Sequence, residues 1–94
     1  MRLSAYRLTE HAEHERESDS ILIQEIEEAF SSPALELVED YPGDQRGHSA
    51  LLLGFTKSGL PLHAVIGLSS PAIVVLITVY RPDEKLWKDW RVRL

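Results

Sequence analysis

The sequence predicts an α+β fold, with two N-terminal helices packed on a four-stranded antiparallel sheet. Three observations predict it. Apolar residues recur with a helical period from Ile21 to Phe30, then change to a period of two from Ala34. Turn residues cluster at short intervals through the second half, at Pro42–Gly47, Lys57–Leu60 and Ser69–Pro71. Connections this short join antiparallel strands, because parallel pairing needs a long crossover. A chain of 94 residues accommodates one domain, 1–94.

Each element has a local reason. Residues 1–8 are short and mixed and read as a first extended segment. Thr9 is a helix N-cap, and Glu10 follows in the first turn, where a negative charge meets the helix dipole favourably. A polar helix runs from Glu10 to about Arg16, and Ser18, Asp19 and Ser20 interrupt it. In the next helix Leu22, Ile26, Ala29 and Phe30 fall on one stripe. Gln24, Glu25, Glu27 and Glu28 cover its other side. Ser31-Ser32-Pro33 ends it, since the residue before proline avoids the helical region. Four strands follow, at Ala34–Tyr41, His48–Thr56, Pro61–Leu68 and Ala72–Arg81. The last is rich in β-branched residues. The second and fourth are apolar on both faces, so a lone sheet would leave one face bare. Leu86, Trp87 and Trp90 in the tail fit a covering role, and a second subunit would serve as well.

Charge is divided unevenly along the chain. Residues 1–40 carry eleven acids against three arginines, a net of −8; residues 41–94 carry seven cations against four acids, a net of +3. The total of −5 repels a polyanion at long range, so any RNA contact rests on local cations. There is no cysteine, which excludes disulfides, thiol catalysis and Cys-ligated zinc. The longest apolar run, Ala72–Ile77, is far short of the ~20 residues of a membrane span. No signal-peptide pattern opens the chain, so the expected location is cytoplasmic, with no membrane partner.

No phosphate-binding glycine loop, nucleophile elbow or zinc-protease motif is present. The candidates are scattered polar residues on a small sheet. His63 lies within the third strand; it either faces a cleft as an acid–base group or is a buried histidine satisfied by a neighbour. Arg46 and His48 flank Gly47 at a loop-to-strand junction, where a ligand can approach the backbone. Thr78 and Tyr80 share a face of the fourth strand, with Arg81 next. Tyr80 suits base stacking and Arg81 a phosphate; the competing reading has Tyr80 at the core edge and Arg81 in solvent. His11 and His14 stand three apart on the first helix, a weak metal-ligand spacing whose alternative is a solvated face. No metal and no cofactor is expected.

Several short motifs keep a fixed order: Thr9-Glu10-His11-Ala12, Ser32-Pro33, Leu51-Leu52-Leu53-Gly54, Pro61-Leu62-His63-Ala64-Val65, and Thr78-Val79-Tyr80-Arg81-Pro82-Asp83 with Trp87. In these the chain resembles DUF4258, a family of small bacterial domains of unknown function, over residues 8 to 93. That family is similar in plan to RelE- and BrnT-like toxins, and some of its members lie beside small antitoxin-like proteins. Its helix histidine matches His11, its strand histidine His63, and its Thr-x-Tyr matches Thr78 and Tyr80. The chain departs where the family pattern reads Arg and then Arg-Gly along the first helix; here stand Glu15, Asp19 and Ser20.

The resemblance implies an endoribonuclease of the mRNA-interferase type, paired with an antitoxin. His63 and His11 would share acid–base work, with Tyr80 and Arg81 completing the catalytic set. Arg46, His48 and Thr78 would bind substrate. The alternative is a non-enzymatic interaction module, a homodimer or half of a two-protein complex.

Overall fold

Tyr6–Leu8 forms a strand, β1, that pairs in parallel with Val74–Tyr80, β5. This pair changes the predicted sheet. The computed structural model describes residues 6–69 and 73–94. Between the two strands come α1 (Glu10–Ser18), α2 (Ile23–Phe30), β2 (Glu36–Tyr41), β3 (Ser49–Phe55) and β4 (Pro61–Gly67). The sheet is mixed and five-stranded, in the order β1-β5-β4-β3-β2. β6 (Trp87–Lys88) and β7 (Val92–Arg93) make a second, two-stranded sheet. The expected four-stranded antiparallel sheet is thus corrected. The meander β2 to β5 is antiparallel, as short loops require. The parallel pair is made through everything between Leu8 and Val74, a separation that no local pattern encodes.

The expected turn at Ser69-Ser70-Pro71 and the start of the last strand at Ala72 fall partly outside the described residues, as do Met1–Ala5. α1 begins where the cap predicts: Thr9 Oγ1 accepts the Ala12 N–H at 3.1 Å. In α2, Ile26, Ala29 and Phe30 are buried, but Leu22 is 63% exposed and Ile21, just before the helix, is buried instead. Leu22 is the N-cap, in extended conformation, so its side chain leaves the helical stripe; its N–H donates to Glu25 at 3.0 Å.

The helices cover one face of the sheet. Ile26, Ala29 and Phe30 pack with Leu52, Leu62, Ala64, Ile66, Leu76 and Val79. α2 lies very close to β3, which requires Gly54: a Cβ there would stand 2.3 Å from the Ala29 carbonyl oxygen. α1 is fixed to β5 by side chains. Thr9 Oγ1 donates to the Ile77 carbonyl at 2.9 Å, Glu15 accepts the Val79 N–H at 3.1 Å, and Asp19 accepts the Arg81 N–H at 2.9 Å. Glu15 and Asp19 therefore complete the hydrogen bonding of β5 beyond the end of β1.

The opposite face is covered at one end by the C-terminal hairpin. Trp87 is 5% exposed, and Leu53 and His63 beneath the hairpin are fully buried. Arg91 pairs with Glu36 (2.6 Å) and Arg93 with Glu39 (2.8 Å), which clasps the hairpin to β2. The Arg93 guanidinium also lies 4.6 Å from the Trp87 ring centroid. The hairpin reverses at Asp89 and Trp90, both with positive φ (51° and 64°), and the Arg91 N–H donates to Lys88. Such turns favour Asn-Gly, so this one is held by its contacts. The expected covering role thus holds for Trp87.

Candidate functional site

The uncovered half of this face is a cleft of about 380 Å³ lined by Thr9, His11, Arg46, Gly67, Ser69, Val75 and Ile77. Strand register explains its floor. One row crosses the sheet as Arg7, Val75, Gly67 and Ser49 on β1, β5, β4 and β3. All four therefore leave the sheet on one side. Gly67 contributes no side chain, so the row dips between Val75 and Ser49. A bulge opposite Val65/Ile66 leaves Ile77 without a partner in the ladder. Its side chain comes over the floor, since a Cβ on Gly67 would meet Ile77 Cδ1 at 3.5 Å. Thr78, cross-strand from Val65, follows on the same face and is half-buried.

Two predicted residues meet at this cleft. His11 comes from the first turn of α1 and is 67% exposed. Its Nε2 stands 3.4 Å from Glu15, the carboxylate already fixed to Val79. Among the described residues Nδ1 has no partner and is the ring atom open to a ligand. Arg46 comes from the β2–β3 loop. Its Nη2 and Nε donate to Asp44 at 3.0 and 3.2 Å, and Ser49 Oγ donates to the same carboxylate at 2.7 Å. These bonds, those from Arg46 above all, hold the Asp44 carboxyl well below the usual carboxylate range. Gly47, at φ 105°, lets the loop close onto Ser69: a Cβ there would fall 2.0 Å from the Ser69 Oγ.

A second pair of predicted residues also comes together, beneath the hairpin. His63 Nδ1 lies 3.0 Å from Tyr80 Oη, and Nε2 lies 2.7 Å from the Trp90 carbonyl. A carbonyl only accepts, so Nε2 carries the proton and the Tyr80 hydroxyl donates to Nδ1. Trp87 meets the imidazole edge-on at 4.6 Å. Burial pushes the His63 pKa down and raises that of Tyr80 to about 12. The pair lies under the tail, apart from the residues that line the cleft.

The remaining candidates lie elsewhere. The Arg81 guanidinium enters the junction of α1 and α2, donating to the Asp19 and Ser20 carbonyls and, at 2.9 and 3.1 Å, to Glu25. Hydrogen bonds from the Leu22 N–H and from Arg81 hold Glu25 below its ordinary pKa. His48 pairs with Asp40 at 2.5 Å. His14 is exposed, and among the described residues no three His, Asp or Glu side chains gather as metal ligands.

Sequence reasoning missed Arg7, Gly67 and Ser69. Arg7 lay in a segment without pattern, and only the parallel register places it beside Val75.

No helix among the described residues is long and apolar enough to cross a membrane. No curated protein and no solved structure matches the chain. A family model does match, over residues 8–81, with the histidines of α1 and β4 and the Thr-x-Tyr of β5 inside the matched span; the chain belongs to the family described as domain of unknown function DUF4258.

Proposed function

We propose that the protein is a toxin-like endoribonuclease, the RNA-cleaving member of a toxin–antitoxin pair, and that it works at the cleft with His11 and Arg46. The observation that supports this reading is their convergence: an imidazole and a guanidinium from separate segments border one apolar floor. RNA cleavage by transesterification needs a base at the 2′-hydroxyl and a cation at the phosphorane. His11 Nδ1 takes the 2′-hydroxyl proton, the 2′-oxygen bonds to phosphorus, and the bond from phosphorus to the 5′-oxygen breaks. The same proton goes to the departing oxygen, giving a 2′,3′-cyclic phosphate and a 5′-hydroxyl end. Arg46 faces the charge that builds on the phosphorane oxygens, and Thr78, on the same sheet face beyond the lining residues, takes the sugar. His63 and Tyr80 anchor the hairpin, and Arg81 fixes the helix pair; in this reading they shape the cleft as positioning residues.

Incubation of the purified protein with RNA, with and without ribosomes, tests the reading. Cleavage should fall about 10²-fold or more in His11→Ala, the loss typical of a missing general base. Absence of cleavage in both conditions, together with no growth arrest on expression, refutes it.

A second reading is a protein-interaction module, favoured by Leu86, Val92 and Leu94, which are 62%, 59% and 76% exposed on the hairpin. The partner would be an antitoxin-like protein or a second copy. Size-exclusion chromatography with light scattering decides the homodimer version, which a clean monomer at micromolar concentration removes.

A further inference from the structure

We propose that Arg7 is a second phosphate-binding cation of the cleft, so that its ligand is a single-stranded RNA segment presenting two successive phosphates. This rests on the reading that the cleft takes RNA. Arg7 and Val75 are register partners, so the arginine stands at the β1 edge of the floor, on the cleft side. Arg7 is exposed. Among the described residues it makes no hydrogen bond or ion pair. The contrast with the other described arginines is informative: Arg16, Arg46, Arg81, Arg91 and Arg93 are each paired with a carboxylate, and of these only Arg46, its side chain 62% exposed, borders the cleft. A cation left unpaired in a chain of net charge −5 is available to an outside anion.

Distance across the floor sets the size of the ligand. The row Arg7, Val75, Gly67, Ser49 crosses three strand spacings, about 14 Å between its end Cα atoms. Arg46 stands over the far end of the row, tied to Ser49 through Asp44. Arg46 borders the cleft directly and Arg7 stands just outside its lining, one strand from Val75; the two long side chains together bracket one nucleotide. Its base lies on Val75 and Ile77, where Gly67 leaves room, and a phosphate meets each arginine. A flat apolar floor takes any base by its face, so affinity should depend on phosphate number more than on sequence. A duplex, with its bases stacked inside, offers no free base for the floor.

The test uses 2′-O-methyl dinucleotides, which cannot be cleaved, titrated against the full chain with NMR or calorimetric detection. The 5′-phosphorylated pUpU should bind about fivefold to tenfold tighter than UpU, as one added charge-assisted contact allows. Arg7→Ala should abolish that preference and leave UpU affinity unchanged. Lys57→Ala, distant from the cleft, should keep the preference. With longer single strands, Arg7→Ala should lower the salt dependence of binding by about one charge. Equal affinity for the two dinucleotides, or an equal loss for both in Arg7→Ala, overturns the proposal. So does a polyglutamate peptide that binds with the same Arg7 dependence, since the cleft then reads charge alone. If Arg7 discriminates the dinucleotides but no RNA is cleaved, the two-phosphate site stands and the nuclease falls. Cleavage of RNA without discrimination by Arg7 gives the reverse.

Discussion

Acid should loosen this protein through one side chain, His63. Its imidazole is fully buried, with Nε2–H on the Trp90 carbonyl and Nδ1 accepting from Tyr80. Burial pushes its pKa down; the Trp90 carbonyl and Glu39 act the other way, and Arg93 adds to the depression. The folded state therefore prefers the neutral ring, whereas the unfolded chain binds a proton near pH 6.5. Stability from this group is complete above that pH. It is lost as pH falls from about 6.5 toward the lower folded value, because the unfolded state then binds more protons. If the folded imidazole stays neutral, going from pH 7.5 to 5.5 costs about 1.4 kcal/mol, one full decade of proton binding. Urea denaturation at the two pH values measures it, with His63→Gln as the control. Glutamine keeps an N–H for Trp90 and an acceptor for Tyr80 but does not titrate. His11, His14 and His48 are common to both proteins and cancel. His63→Ala goes further, leaving a cavity and two polar groups without partners, and should cost about 3–5 kcal/mol. That is much of the total stability of a domain this size. An identical pH dependence in wild type and His63→Gln would refute the reasoning.

Two further substitutions probe the backbone. Gly54→Ala puts a methyl 2.3 Å from the Ala29 carbonyl, so α2 must shift; a loss of about 2–3 kcal/mol is expected from thermal or urea unfolding. A neutral result would mean that α2 does not approach β3 as described. Ser20→Gly should stabilise by about 0.5–1 kcal/mol, because Ser20 follows the end of α1 with φ 55°, a conformation that glycine adopts without a Cβ penalty. A lower urea midpoint in Ser20→Gly would contradict that account.

Periodicity made α2 and the β2–β5 meander legible, since each buries a face that the sequence writes at regular intervals. The same logic located Trp87 over the second face of the sheet. The extended segment at the start was legible, but the pairing of β1 escaped, because three residues carry no period and their partner lies at the other end of the chain. Without β1 the position of Arg7 is meaningless, so the cation beside the cleft was invisible. His63 and Tyr80 were legible as neighbours in principle, but only register decided which face they share. The hairpin that covers them turns at Asp89-Trp90, a pair that breaks the usual turn preference and gives no local signal. Glu15 and Asp19 look like surface charge in the sequence; their partners are main-chain amides of β5.

Those two carboxylates, with Thr9, also govern how the sheet can grow. Where β1 stops, β5 would offer bare amides and carbonyls to any passing extended chain, and α1 occupies them instead. The outer side of β1 is only three residues long, too short to template much. The remaining border is β2, whose Glu36, Glu39 and Asp40 are held in ion pairs that a strand brought alongside would have to disturb or desolvate. Fibre-like stacking of copies is thereby discouraged on both borders, and replacing Glu15 and Asp19 by apolar residues would expose a seam prone to aggregation well before the fold itself gave way.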